Sequence, residues 1–128
     1  MKAASFKIVN DTWNFVSYVR IGGTVEEAKK AFDRLVGPSD VKNALTDSTW
    51  ATFFWAHGKK SHLLWFADNP TCGLLAHEAL HAAYHVLREA GVGPLNDDTE
   101  EVYTYLVQWI VDGIANGVVK RGIHKRKR

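Results

Sequence analysis

Several large classes of protein are excluded by what this chain has little of. Cysteine occurs once, at Cys72, so no internal disulfide can staple the fold, and a reducing compartment is expected. No apolar run approaches the roughly 18 residues that a membrane span needs, so no membrane partner is expected. Met1 to Asn10 contains no apolar core of the kind an export signal carries, which points to a cytoplasmic protein. Proline occurs three times, and neither an internal repeat nor a low-complexity linker is visible, which argues against solenoids and strings of domains.

What is present suits one folded domain. The chain has 128 residues, 46% of them hydrophobic, with five Trp, six Phe and four Tyr to build an aromatic-rich core. Its formal net charge of +2 is unevenly placed: residues 120–128 hold six Lys/Arg and no acid, and taking those six away leaves the body at −4. The reading is a domain over residues 1–119 followed by a basic tail over 120–128. Such a tail attracts nucleic acid or anionic surfaces, but six charges without interleaved aromatics are also an ordinary solvated terminus.

Phe6 to Ile21 is rich in β-branched and aromatic residues and reads as one or two strands broken at the turn-prone pair Asn10-Asp11. Gly22-Gly23 ends it. Thr24 to Glu27 has the capping-box pattern, opening a helix to about Val36 that Gly37-Pro38 stops. Ser39 to Leu45 is expected to form a short helical turn. Thr49 to Ala56 and Ser61 to Ala67 read as the two arms of a hairpin turning at His57-Gly58-Lys59-Lys60. Thr71 caps a helix over Leu74 to Ala90, which Gly91-Val92-Gly93-Pro94 ends. A last helix is expected from Glu100 to Ala115, broken by Asn116-Gly117. The fold class is α+β.

The helix after Thr71 carries His77-Glu78-Ala79-Leu80-His81, an H-E-x-x-H motif. At about 100° per residue His77 and His81 lie about 40° apart, one turn removed, so both imidazoles can reach one ion. Glu78 stands beside such an ion rather than on it, placed to take a proton from a zinc-activated water. Arg88, His81, His85, Glu78 and Glu89 fall in one sector with His77. The apolar residues Leu75, Ala76, Ala79, Leu80, Ala83, Val86, Leu87 and Ala90 fall opposite, so the polar sector is expected to face a cleft and the other a core. The bland alternative is a chance pair of surface histidines.

A catalytic zinc site usually takes three protein ligands. His85 lies a further turn along the same face, but three residues spanning two turns of a straight helix do not converge, so it reads as a wall of the cleft. Cys72 offers a soft sulfur but reads better as a small buried side chain. On the last helix Glu101, Thr104, Gln108 and Asp112 make a narrow polar stripe with Tyr105 at its edge, while Glu100 lies nearer the apolar flank. Glu101 is the candidate third ligand. Its alternative is to complete a capping box with Asp98 or Thr99.

These residues carry a resemblance. His77-Glu78-x-x-His81, followed by a helix with Glu101, resembles the HExxH zinc metallopeptidases of the zincin fold, in their gluzincin branch. The run from His77 to His85 also looks like bacterial regulatory zinc proteases that cleave repressors, and the two helices together resemble small phage-encoded HExxH proteins. The resemblance spans Thr49 to Ile114 in layout and is specific only at the motif. It departs from many gluzincins in having Tyr105 four residues after Glu101 where an aspartate would stand.

The resemblance implies a small zincin-like domain, with N-terminal strands and a hairpin before the motif helix and a glutamate-bearing helix packed on it. It further implies Zn(2+) held by His77, His81 and Glu101, with Glu78 as general base and a peptide or protein substrate. His85 and Tyr105 are candidate donors to an oxyanion. Ser61–Ala67 would correspond to the strand that pairs with an extended substrate. The rival expectation is a catalytically inactive zinc domain serving as a structural or protein-binding module.

Overall fold

The computed structural model describes residues 3–38 and 50–123. The turn expected over Ser39 to Leu45 and the last five residues of the basic tail lie outside them. Seven elements follow in order: β1 (Ala4–Asn10), β2 (Phe15–Ile21), α1 (Val25–Leu35), β3 (Ala51–Phe54), β4 (His62–Phe66), α2 (Cys72–Glu89) and α3 (Glu100–Lys120). The domain is α+β, with one mixed sheet and three helices among the described residues.

The first hairpin breaks where a turn-prone pair predicts. Asn10 Oδ1 accepts from Trp13 N at 2.7 Å, and Asn14 takes a positive φ of 55°, which asparagine tolerates well. β1 and β2 pair antiparallel from Ala4↔Ile21 to Asn10↔Phe15. The capping box then forms as expected: Glu27 N donates to Thr24 Oγ1 at 3.1 Å and Thr24 N to Glu27 Oε1 at 2.9 Å, starting α1.

The sheet order is β1-β2-β4-β3. β4 lies parallel to β2 and antiparallel to β3, so it is an interior strand. All five of its residues are buried because both faces of the sheet are covered, which is why the strand reads apolar without alternation. Leu63 and Trp65 pack with Phe54 against α1 through Val25, Ala28 and Phe32. Leu64 and Phe66 pack with Phe15, Val19 and Ile21 against α2 and α3. The result is three layers: α1, the sheet, then α2 with α3.

This topology corrects the substrate-strand expectation. Both edges of β4 are already paired, so the 61–67 segment has no free edge with which to bind an extended peptide. Among the described strands the edge beside α2 is β3.

α3 also differs from expectation. It runs through Asn116-Gly117 to Lys120, because its glycines are contact points with the sheet rather than breaks. A Cβ on Gly117 would stand 2.3 Å from Phe6 Cε2, and one on Gly113 would stand 2.8 Å from Ile8 Cδ1. Close packing on β1 offsets the roughly 1 kcal/mol that glycine costs within a helix. Beyond Lys120, Arg121 lies over the Phe6 ring at 4.5 Å and Ile123 packs on the core. Among the described residues no helix is long and apolar enough to cross a membrane.

Candidate metal centre

Thr71 starts the motif helix by accepting from Leu74 N at 3.2 Å. The helix buries an arc that includes Leu75, Ala79, Ala82, Ala83, Val86 and Leu87. That arc is displaced from the expected one. Ala76 and Leu80, expected in the core, are exposed, whereas Glu78 and His85, expected on the open face, are buried at 6% and 1% exposure. For His85 the reason is the hairpin: Phe53 of β3, Trp55 and the Lys59 carbonyl close over its ring.

His77 and His81 stay on the open face. Their Nε2 atoms are 3.3 Å apart, with ring centroids 4.9 Å apart and planes at 74°. Two nitrogens bound to one tetrahedral zinc at about 2.0–2.1 Å each would be separated by about 3.3 Å. The pair thus stands at the spacing of two ligands of one ion, a separation that a hydrogen bond between the two rings also gives. Partial burial and the neighbouring His77 both lower the pKa of His81, which favours the neutral ring that a metal requires. Phe53 of β3 stacks on His81, with centroids 6.4 Å apart and an interplanar angle of 13°, and holds the ring in place.

Glu78 lies just inside this pair. Its Oε1 is 4.0 Å from His77 Nε2. Burial raises its carboxyl pKa, and the His77 charge opposes the rise. A carboxylate that holds its proton more readily than usual, beside a metal-spaced histidine pair, suits reversible proton transfer.

His85 occupies a different role from the cleft wall expected of it. Its Nε2 donates to the carbonyl of Lys59, and its ring packs against Phe53 and Trp55, with centroids at 5.8 and 5.4 Å. It pins the turn of the β3–β4 hairpin to α2. His62, which the sequence did not single out, completes that anchor. Wholly buried, it has Nδ1 3.0 Å from Lys60 O and Nε2 2.7 Å from Ser17 Oγ. Lys60 Nζ donates to Trp13 O at 2.7 Å, and Val16 N donates to Ser61 Oγ at 3.0 Å. A histidine in the otherwise apolar run His62–Phe66 was the available signal.

Glu101 and Tyr105 lie elsewhere. Both are exposed and line a groove with Asn10, Thr12 and Trp13, on the flank of α3 that faces the first hairpin. The buried Tyr103, whose ring meets Tyr84 of α2 at 4.9 Å, fixes how α3 is turned. Glu101 is about 160° round the helix from Tyr103, and Glu100 only about 60°. It is Glu100 that lines the α2–α3 groove with Ala76 and Leu80. Glu101 does not cap α3 either: Thr99, the N-cap, makes no side-chain cap bond, and Asn96 Oδ1 takes Asp98 N and Thr99 N instead. Cys72 is an exposed thiol at the start of α2. Among the described residues no three His, Cys, Asp or Glu side chains gather around one point. The histidine pair and Glu78 are brought together, and Glu101, Tyr105 and Cys72 are not brought to them.

Comparison of the chain with protein-family models, curated proteins and solved structures gives no match.

Proposed function

We propose that the chain is a zinc-dependent hydrolase of peptide bonds, with His77 and His81 holding the metal and Glu78 as general base. The observation that carries this reading is the 3.3 Å separation of the two Nε2 atoms beside a buried carboxylate. When bound, zinc supplies Lewis-acid polarisation of the scissile carbonyl and acidifies water. Glu78 takes one proton from the attacking water as its oxygen adds to the carbonyl carbon. It returns that proton to the amide nitrogen as the C–N bond breaks. β3, with its outer edge unpaired among the described strands and Phe53 against His81, offers backbone donors and acceptors to an extended substrate beside the pair.

One observation favours a second reading, a zinc-bearing binding module without catalysis: α3 turns Glu101 away from the pair, leaving, among the described residues, two histidines where a catalytic centre usually has three protein ligands. Cleavage of a degenerate peptide library by the zinc-loaded protein separates the two. Cleavage that disappears in Glu78→Gln supports the hydrolase, and zinc binding without any cleavage supports the module.

A further inference from the structure

The open face of α2 does not end at the histidines. Beside them runs a groove of about 740 Å³ between α2 and α3, with an apolar floor that includes Leu80, Leu95, Val107 and Val111. Leu80 and Leu95 are 41% and 43% exposed, so large apolar side chains stand uncovered there. Leu80 is also three residues from His77, about 60° round the same helix, which puts the groove alongside the metal-spaced pair.

The rim has one sign of charge. Asp97, Glu100 and Asp112 line the groove, and among the described residues no lysine, arginine or histidine does. We propose that this groove binds a peptide segment in which apolar side chains stand next to lysine or arginine. The inference extends the hydrolase reading, on which its role in substrate choice rests, whereas binding itself stands on the groove alone.

The two features select together. The floor gains from any apolar side chain, at about 25 cal/mol per Å² removed from water, and so discriminates poorly. Three carboxylates of one sign penalise an acidic neighbour and attract a cationic one, which supplies discrimination and speeds encounter. From Glu100 to Asp112 α3 rises about 18 Å, room for about five residues of extended peptide. Because the rim is solvent-exposed, its contribution must fall as salt shortens the Debye length.

The test is fluorescence anisotropy on the full-length His77→Ala/His81→Ala double variant, which removes the metal pair and leaves the groove intact. The probes are labelled hexapeptides alternating leucine with lysine or leucine with glutamate. The lysine peptide is expected to bind at least tenfold more tightly than the glutamate peptide, and more weakly as salt rises. Adding Leu80→Lys, or Asp97→Asn with Glu100→Gln and Asp112→Asn, should each cost at least tenfold, with circular dichroism confirming the fold. Equal binding of the two peptides, or undiminished binding by both variants, overturns the proposal. So does a concentration-dependent dimer that Leu80→Lys dissolves, which would assign the groove to a second copy of the chain. If zinc-loaded wild type binds the lysine peptide without cutting it, the hydrolase reading falls and the groove stands. If it cuts peptides with no regard to charge or to the groove variants, the groove falls and the hydrolase stands.

Discussion

Ser17 Oγ and His62 Nε2 lie 2.7 Å apart in the core, with neither side chain reached by solvent. The direction of this bond follows from its neighbour. The carbonyl of Lys60 can only accept, so His62 Nδ1 carries the hydrogen, and Nε2 of the neutral ring accepts from the Ser17 hydroxyl. The bond ties β2 to β4 underneath Phe53, which in turn packs on both His62 and His81, with centroids at 5.3 and 6.4 Å.

This arrangement predicts a specific loss of stability in acid. Burial lowers the pKa of His62 to about 3, the Lys60 carbonyl works against that, and the charge of His85 adds to it. In the unfolded chain the ring titrates near 6.5. Between those values the unfolded state binds the extra proton, so stability declines as pH falls from about 6.5 towards 3, on the order of a few kcal/mol in all. Histidine ring shifts in NMR spectra provide the check. At pH 4.5 the His62 ring should remain neutral. Protonation of His62 near pH 6 would contradict this account of the core.

A second prediction concerns the contact between α3 and β1. Alanine is the better helix former, so Gly117→Ala on propensity alone would stabilise α3 by about 1 kcal/mol. The added Cβ would instead meet Phe6 at 2.3 Å, and overpacking of that kind costs about 1–3 kcal/mol. Packing is expected to win. Thermal unfolding should show Tm lowered by on the order of 5 °C. An unchanged or raised Tm would mean that Phe6 moves aside freely.

Local features of the fold were readable wherever the chemistry was local. The Thr24–Glu27 capping box, the Thr71 cap and the break between β1 and β2 each depend on residues within a few positions of one another. What could not be read depends on which elements cover which arc. A helical projection groups Glu78 and His85 with His77 and His81, yet only the packing of other elements on α2 shows that the first two are buried. It likewise treats Asn116-Gly117 as a break, because nothing nearby in sequence reveals Phe6 against Gly117. The histidine pair was legible because its i, i+4 spacing is a property of the helix itself. The position of Glu101 was not, because it depends on how Tyr103 seats α3 against Tyr84.

A third prediction separates ligand from base. Removal of one imidazole in His77→Ala or His81→Ala breaks the pair and should lower zinc affinity by at least a hundredfold. Glu78→Gln preserves shape and should keep zinc affinity within a few-fold, since its carboxyl lies 4.0 Å from His77 Nε2, wider than the about 3.3 Å between two ligands of one tetrahedral ion. Calorimetric zinc titration of the three variants decides the matter. Loss of zinc in Glu78→Gln would make Glu78 a ligand and remove the assigned mechanism.

The last prediction addresses the third ligand, where the resemblance and the geometry pull apart. By resemblance Glu101 should hold zinc, and Glu101→Ala should then be nearly as damaging as losing a histidine. In the structure Glu101 shares its groove with Asn10, Thr12 and Trp13, whereas its neighbour Glu100 turns towards Ala76 and Leu80. Bringing Glu101 to the pair would require α3 to rotate on its axis, pulling Tyr103, Leu106, Ile110 and Ile114 out of the core. At about 1.5–3 kcal/mol for each large apolar side chain exposed, that rotation costs more than a single carboxylate ligand can return. Glu101→Ala is therefore expected to change zinc affinity less than threefold, and Glu100→Ala likewise. A hundredfold loss in Glu101→Ala with the fold retained would show that α3 seats differently when zinc is bound, and would restore the three-ligand centre of the gluzincin pattern.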